Sequence, residues 1–392
     1  MITTTRRTLL ATATATALAL TGLPALAQQD EIVIGGSIPL TGVFAFAGVG
    51  IEAGMTDYIA YVNDNGGIAG RQVRLAYEDT GYQVDNSVAV FNRLNSANTI
   101  NLYYGDSTGF SRTINPELNR IGTILQAGAS FATEINDPEA FPNQFMAGPD
   151  YTEMTSILLE YIAQETPGAS VLLVNSDTEF GRDPIEGTKA RAAELGLNIV
   201  ETIITPPGAV DVSTEVLKLR RARPDYAIFH GYVFAPIPEF ISQARQLGLE
   251  TQFMGTFWSM DSSLWQSVGA EADGFMGVMP YNYYYDDEGG PMLDYIRSVR
   301  SEYQSTAYMQ GFASAMLLTE AARRTLEAGE ELTGPNMKAA LDSIEDFDTG
   351  GVFGVPISVT GNSVPVGRIY TFNAETDRME PASDWIDLSA AE

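Results

Sequence analysis

The sequence predicts an α/β chain made of two similar halves, each a doubly wound parallel sheet with helices on both faces. Short apolar strands alternate with longer helical stretches, and this pattern runs once and then restarts near residue 150. Parallel neighbours need a long crossover, so alternation at these lengths implies parallel sheets. A chain of 392 residues is also long enough for two domains, each with its own core.

The elements follow in order. Ile32-Val33-Ile34 and Ser37-Ile38-Pro39 make a buried first strand, followed by a glycine-rich turn and a helix to about Asn63. Arg71 to Tyr77 alternates apolar and polar residues as a strand does, and a helix follows from Asp85 to about Ser96. Ile100 to Tyr104 is a third strand, Ser111 to Arg120 a helix, and Thr123 to Gln126 a fourth strand. The second run opens with a helix from Tyr151 to Gln164 and the strand Ser170 to Asn175, with a helix after Phe180. Strands at Leu197 to Ile204, Tyr226 to His230 and Gln252 to Met254 come next, separated by helices. Helices at Pro291 to Tyr303, at Tyr308 to Ala328 and after Thr333 reappear once both halves look complete. The chain then ends in two strands, Val352 to Val359 and Gly367 to Phe372. Discontinuous domains explain the late helices: residues 28–147 plus about 278–355 in one lobe, 148–277 plus about 356–388 in the other.

The first residues read as an export signal. Arg6 and Arg7 precede an apolar run from Thr8 to Leu23, Pro24 breaks it, and Ala25-Leu26-Ala27 is an A-x-A cleavage site. The run is too short and weakly apolar for a membrane span, and the paired arginines match a twin-arginine signal. Residues 1–27 are therefore expected to be removed, leaving a soluble periplasmic protein. The chain has no cysteine, which excludes disulfides, thiolate metal sites and a lipid anchor on a mature N-terminal Cys. Net charge is -28. Export removes two arginines and no acid, so 20 basic side chains face 50 acidic ones. Such a chain repels nucleic acid and anionic lipid. Scattered acids and a 45% hydrophobic content exclude low-complexity disorder.

Three segments carry a resemblance. Ile34-Gly35-Gly36-Ser37-Ile38-Pro39-Leu40-Thr41-Gly42 is a strand with a Leu-Thr-Gly turn. Asn63-Asp64-Asn65-Gly66-Gly67-Ile68-Ala69-Gly70-Arg71 ends a helix and turns directly into a strand. Gln243-Ala244-Arg245-Gln246-Leu247-Gly248 precedes Phe253-Met254-Gly255. In this order they resemble the leucine/isoleucine/valine-binding family, the type I periplasmic solute-binding proteins of ABC importers, over most of Glu31 to Phe372. The resemblance implies two lobes on a hinge that close over a ligand at the carboxyl ends of the strands, with an inner-membrane ABC permease as partner. It implies a monomer with no cofactor, no metal and no catalysis.

Physical chemistry points to the same place, because helix N-termini beside strand carboxyl ends present free N–H groups to an anion. Gly105-Asp106-Ser107-Thr108-Gly109 and Gly128-Ala129-Ser130 occupy two such turns. The resemblance carries to Ser107 and Ser130, with Thr108 and Ala129 beside them, the holding of a ligand carboxylate; helix capping is the alternative use of the same hydroxyls. The departures bear on the ligand. Where the family places an acid for the ligand's ammonium, the register Gly255-Thr256-Phe257-Trp258 gives Phe257. Ala47 falls where an aromatic is common, within Val43-Phe44-Ala45-Phe46-Ala47. Phe180 stands at a tyrosine position, and Tyr232 at a strand end facing the cleft. A pocket with a carboxylate anchor, walls from Phe46, Phe180, Tyr232, Phe257 and Trp258, and no evident ammonium acceptor suits an aromatic or apolar carboxylate first and a hydrophobic amino acid next. Cation–π attraction, Asp106 or Asp177 could supply the missing charge.

Other signals weigh less. Gly105-Asp106-Ser107-Thr108-Gly109 satisfies the G-x-S-x-G pattern of a serine hydrolase, but His230 is the chain's one histidine and comes too early for that fold's late-loop base. Gly48-Val49-Gly50-Ile51-Glu52-Ala53-Gly54 misses the dinucleotide spacing by one residue. Asp286-Asp287-Glu288 lacks calcium-loop spacing and reads as a solvated loop. The cluster Tyr281, Tyr283, Tyr284 and Tyr285 either edges the cleft or packs between lobes. The expected function is capture of a small molecule for a permease, with a sensor that signals to a membrane receptor as the second reading.

Overall fold

A computed structural model describes residues 31–261, 265–287 and 289–391; the export signal and Glu288 lie outside the described residues. The first sheet has four parallel strands in the order β2-β1-β3-β4: β1 Ile32–Ile38, β2 Val73–Asp79, β3 Ile100–Gly105 and β4 Leu125–Gly128. Helices α1 Ala45–Asp64, α2 Val84–Ala97 and α3 Thr108–Ile121 connect them. β1 is buried along its whole length, as a strand covered on both faces must be. Gly66 and Gly67 end α1 at φ 96° and 73°. A Cβ on Gly67 would lie 2.1 Å from the Arg71 carbonyl oxygen, so the tight return into β2 requires glycine there.

The second sheet has seven strands in the order β11-β10-β9-β8-β7-β5-β6. The parallel part comprises β5 Ser170–Ser176, β6 Asn198–Thr205, β7 Tyr226–His230, β8 Gln252–Gly255 and β9 Met276–Met279. Its helices are α4 Tyr151–Glu165, α5 Glu179–Arg182, α6 Ile185–Glu194, α7 Ser213–Ala222 and α8 Ile237–Gln246. Two antiparallel strands, β10 Val366–Asn373 and β11 Arg378–Asp387, extend the edge beyond β9, so this sheet is mixed where the sequence predicts a parallel one.

The late helices α9 Pro291–Val299, α10 Thr306–Glu327 and α11 Gly334–Asp342 return to the first sheet. α10 lies along α1, and the approach is close because glycines face backbone at the crossing. A Cβ on Gly54 would meet the Tyr308 carbonyl oxygen at 2.1 Å, and one on Gly311 the Ile51 oxygen at 2.3 Å. The chain thus passes between the sheets three times. α9 stops at Val299, earlier than the predicted Tyr303. Val352 to Val359 is not a strand: it holds one bridge, Phe347 to Ile357, although Val352, Phe353 and Ile357 are buried. Its alternation reports burial on two sides without a ladder partner. The predicted strand Gly367 to Phe372 is β10, and the strand that follows it, β11, was not predicted; its polar sequence and Pro381 fit an exposed edge. Asp286 is also not in a solvated loop; it is buried and accepts hydrogen bonds from the Tyr370 hydroxyl and the Tyr283 amide. The tyrosine cluster packs against Tyr303 and Tyr370, and none of its members lines the cavity described next.

Candidate ligand-binding site

The carboxyl ends of the two sheets face each other around a small, partly open cavity. From the first half come Pro39, Phe44, Ala47, Ile51, Tyr82, Asp106, Ser107, Thr108 and Ala129; from the second come Tyr151, Phe180, Val233 and Trp258. Polar and aromatic parts are segregated.

The polar part is built on the start of α3. β3 ends at Gly105, and Ser107 caps the helix from an extended backbone (φ -160°), its Oγ accepting the Phe110 N–H at 3.1 Å. Thr108 Oγ1 and Ser130 Oγ lie 2.9 Å apart, and Ser130 Oγ also accepts the Ala132 N–H at 3.2 Å. The Ala129 N–H is taken by the Gly105 carbonyl oxygen at 2.8 Å. Ala129 therefore offers its methyl group to the cavity and its amide to the backbone. The amides of the first turn of α3 have no partner within the helix, and the helix dipole puts partial positive charge there.

The aromatic part joins the two halves. Phe44 packs on Tyr82 with ring centroids 4.0 Å apart and faces Phe180 at 6.5 Å. Tyr82 holds φ 60°, a strained conformation for a bulky residue that turns its ring into the wall. Tyr151, the first residue of α4, touches Phe180 at 4.9 Å and His230 at 4.7 Å. Trp258 and Phe131 pair at 6.1 Å.

Of the residues expected from sequence, Ser107, Thr108, Ala129, Phe180 and Trp258 come together around this cavity. Ser130 stands behind Thr108 as its hydrogen-bond partner. Phe46 does not reach the wall: it is 46% exposed, because two residues along a helix turn the side chain roughly 200° from Phe44. Tyr232 points into the core of the second half, where its hydroxyl meets Thr205 Oγ1 at 2.8 Å, and Val233 lines the cavity in its stead. Phe257 is fully buried against Phe131, Trp258 and Tyr281, so it lies beneath the wall and not in it. Asp177 is at the surface, paired with Arg182. Sequence reading missed Pro39, Phe44, Ile51, Tyr82, Tyr151 and Val233. Tyr82 was within reach, since it follows the carboxyl end of β2, where open α/β sheets gather their ligands.

His230 closes the hydrolase question. Its Nε2 donates to the Phe180 carbonyl oxygen at 2.9 Å, which leaves Nδ1 to accept from Thr256 Oγ1 at 2.8 Å. Burial pushes its pKa down to about 3, so the ring is a neutral core aromatic with both nitrogens engaged. Ser107 Oγ meets Asp106 and the Phe110 amide instead, and its extended backbone lacks the strained turn of a nucleophile elbow.

Two facing α/β halves with a small aromatic-walled cavity between their strand ends present the architecture of a small-solute binder. Residues 31–378 match the periplasmic binding protein family, and the chain belongs to it. The Leu/Ile/Val-binding protein of Escherichia coli (strain K12) is 25% identical over 310 residues, covering 78% of this chain and 80% of that protein. A branched chain amino acid ABC transporter protein from Thermus thermophilus, solved with bound valine, superposes with a TM-score of 0.83 at 24% identity, covering 92% of this chain and 97% of that one. A fatty acid ABC transporter substrate-binding protein from Thermomonospora curvata superposes with a TM-score of 0.80 at 17% identity, covering 92% and 94%. The chain is thus a periplasmic binding protein, a binder of a small solute and not an enzyme.

Proposed function

We propose that this protein captures a small amphipathic carboxylate in the cavity between its two halves, closes over it, and delivers it to an inner-membrane ABC permease as a monomer. The observation that carries the reading is the meeting of the α3 N-terminus, with Ser107 and Thr108, and the walls of Phe44, Tyr82, Tyr151, Phe180 and Trp258 in one cavity. The helix end suits a carboxylate, and the rings suit an apolar or aromatic body. Relatives differ in cargo, valine for one and fatty acid for another by their descriptions, so the choice within this class rests on the cavity. The chemistry of its lining suits both an aromatic or apolar acid and a hydrophobic amino acid. The lobes in this reading follow the limits expected from sequence, with the return to the first lobe moved past the end of β9 at Met279, and export proceeds through the predicted signal by the twin-arginine route.

A thermal-shift panel of leucine, phenylalanine, benzoate, hexanoate and the matching neutral amides tests the proposal. A ligand at a hundredfold excess over its Kd adds about 2.7 kcal/mol of stability, a clear rise in Tm. Carboxylates are expected to raise the melt and amides to leave it unchanged; a shift from the amides alone, or from none of the panel, overturns the reading.

A further inference from the structure

Three of the described lining residues of the second half, Tyr151, Phe180 and Trp258, sit on three separate segments, and one side chain behind them bears on all three. His230 ends β7 and is 1% exposed. Its ring meets those of Tyr151 and Phe180 edge to face, with centroids 4.7 and 4.9 Å away. Its Nε2 donates to the Phe180 carbonyl oxygen at 2.9 Å, and its Nδ1 accepts from Thr256 Oγ1 at 2.8 Å. Thr256 follows β8 and opens the turn that carries Trp258. Its carbonyl oxygen accepts from the Ser259 N–H at 3.0 Å and from Ser259 Oγ at 2.8 Å.

The Phe180 turn is held from two neighbouring strands. The peptide between Phe180 and Gly181 gives its oxygen to His230 and its N–H to Thr178 Oγ1 at 2.9 Å. The next carbonyl oxygen, that of Gly181, accepts from Asn175 Nδ2 at 2.8 Å, and Asn175 and His230 are register partners on β5 and β7. The turn also rests directly on the end of β7: Gly231 holds φ 92°, and a Cβ there would lie 2.5 Å from the Gly181 Cα. A peptide plane pinned at both edges leaves the adjoining side chain little freedom to swing, because φ and ψ are the only soft backbone torsions.

We infer that His230 is a positioning residue of the ligand site, a role that rests on the cavity reading above and deepens it. It ties the Phe180 turn to the Trp258 turn and so sets the aromatic wall of the second half in its binding geometry before a ligand arrives. A wall fixed in advance avoids the ordering cost that a loose one meets on binding. Neutral imidazole suits the task, since one flat ring donates from one nitrogen, accepts at the other and still packs against its aromatic neighbours. The rival role is core filling. A filler can be replaced by any ring of its size, whereas a tie needs both nitrogens.

His230→Phe separates these roles, because it keeps a ring against Tyr151 and Phe180 and removes both hydrogen bonds. Hydrogen–deuterium exchange of the ligand-free variant should quicken over residues 178–182 and 256–260 and stay unchanged in α7. Calorimetry with phenylalanine, leucine, benzoate and hexanoate should show about tenfold weaker binding of whichever compounds the native protein takes. Phe180→Ala should cost about tenfold in the native chain but only about twofold in His230→Phe, since the effects of coupled residues do not add. His230→Gln keeps a donor near the place of Nε2 and should recover most of that coupling. Unchanged exchange in both segments, exchange raised evenly across the second half, or additive losses in the double-mutant cycle would each overturn the tie and leave His230 a core filler. Should His230→Phe fail to fold, Thr256→Val removes the Nδ1 bond at nearly constant volume and should loosen residues 256–260 alone; no change there also overturns it. If none of the four compounds binds the native protein, the cavity reading falls, while the exchange pattern still decides the role of His230.

Discussion

Ser107 performs two tasks with one hydroxyl: it caps α3 through the Phe110 amide and stands in the cavity wall. Removing it therefore has two separable consequences. Ser107→Ala should lower unfolding free energy by ~1 kcal/mol, the usual value of a serine cap. It should also weaken ligand binding by roughly tenfold, the equivalent of one hydrogen bond to a charged group. Ser107→Thr keeps a hydroxyl and should restore both. Chemical denaturation and calorimetry measure the two effects independently, and a stability loss without a binding loss would assign Ser107 to capping alone. Residues such as Ser107, Thr108 and Phe180 were legible in sequence because they sit at fixed offsets from strand ends. Tyr151 was not legible as a wall residue, since its ring reaches the cavity only after α4 packs on the second sheet.

At the scale of elements, the start of α4 holds a buried acidic pair. Asp150 caps the helix by accepting the Glu153 N–H at 2.8 Å, and Glu153 returns to the Asp150 N–H at 2.6 Å. Asn136 Nδ2 donates to both carboxylates. Burial, and then the nearby Glu153, push the Asp150 carboxyl well above its usual range. A folded-state pKa raised in this way favours the protonated form, so the contribution is fully present below the unfolded carboxylate value and is lost as pH rises toward the folded one. His230 acts oppositely: its depressed value makes stability fall as pH drops from the ordinary imidazole range toward about 3. Comparing Asp150→Asn with the native chain at each pH cancels the histidine. Asparagine caps as well as aspartate, so the variant should be the more stable near pH 8, by more than ~1 kcal/mol, with a smaller gap at pH 5 that closes only near pH 4. A gap that is unchanged or larger at the lower pH would contradict this. The elements most faithfully predicted, β3, β5, β7, α2 and α4, carry strong local signals. The stretch from Val352 to Val359 misled because alternation looks the same whether the buried residues meet a ladder partner or fill a junction.

For the molecule as a whole, the closure proposed above would make or break the contacts across the cleft. Arg112 on α3 reaches Glu134 beside it and crosses to Asp183 at 3.2 Å and Glu179 at 3.8 Å. The Asp183 side chain is only 4% exposed and also accepts the Thr133 N–H at 2.8 Å. Arg112→Ala removes the cation from this crossing and leaves a buried acid behind. Ligand dissociation should quicken by roughly three- to tenfold, with association nearly unchanged, as is usual when a desolvated pair is broken. The radius of gyration in solution scattering should rise in the ligand-free variant. Stopped-flow kinetics showing an equal fall in both rates would remove Arg112 from any part in closure.

The sequence by itself determined the two-half α/β architecture, because strand and helix periods and glycine-marked turns are local features. It also determined the solute-binding family and the turn at Ser107, because these are carried by short, ordered motifs. Only the tertiary structure decided that Tyr82, Tyr151 and Val233 form the wall while Phe46, Tyr232 and Phe257 do not. The same holds for the antiparallel edge of the second sheet and for the placing of Asp106 in the cavity wall. In each case the deciding contact joins residues far apart in the chain, and which face of a helix or which neighbour of a strand end looks inward is fixed only when the two halves pack.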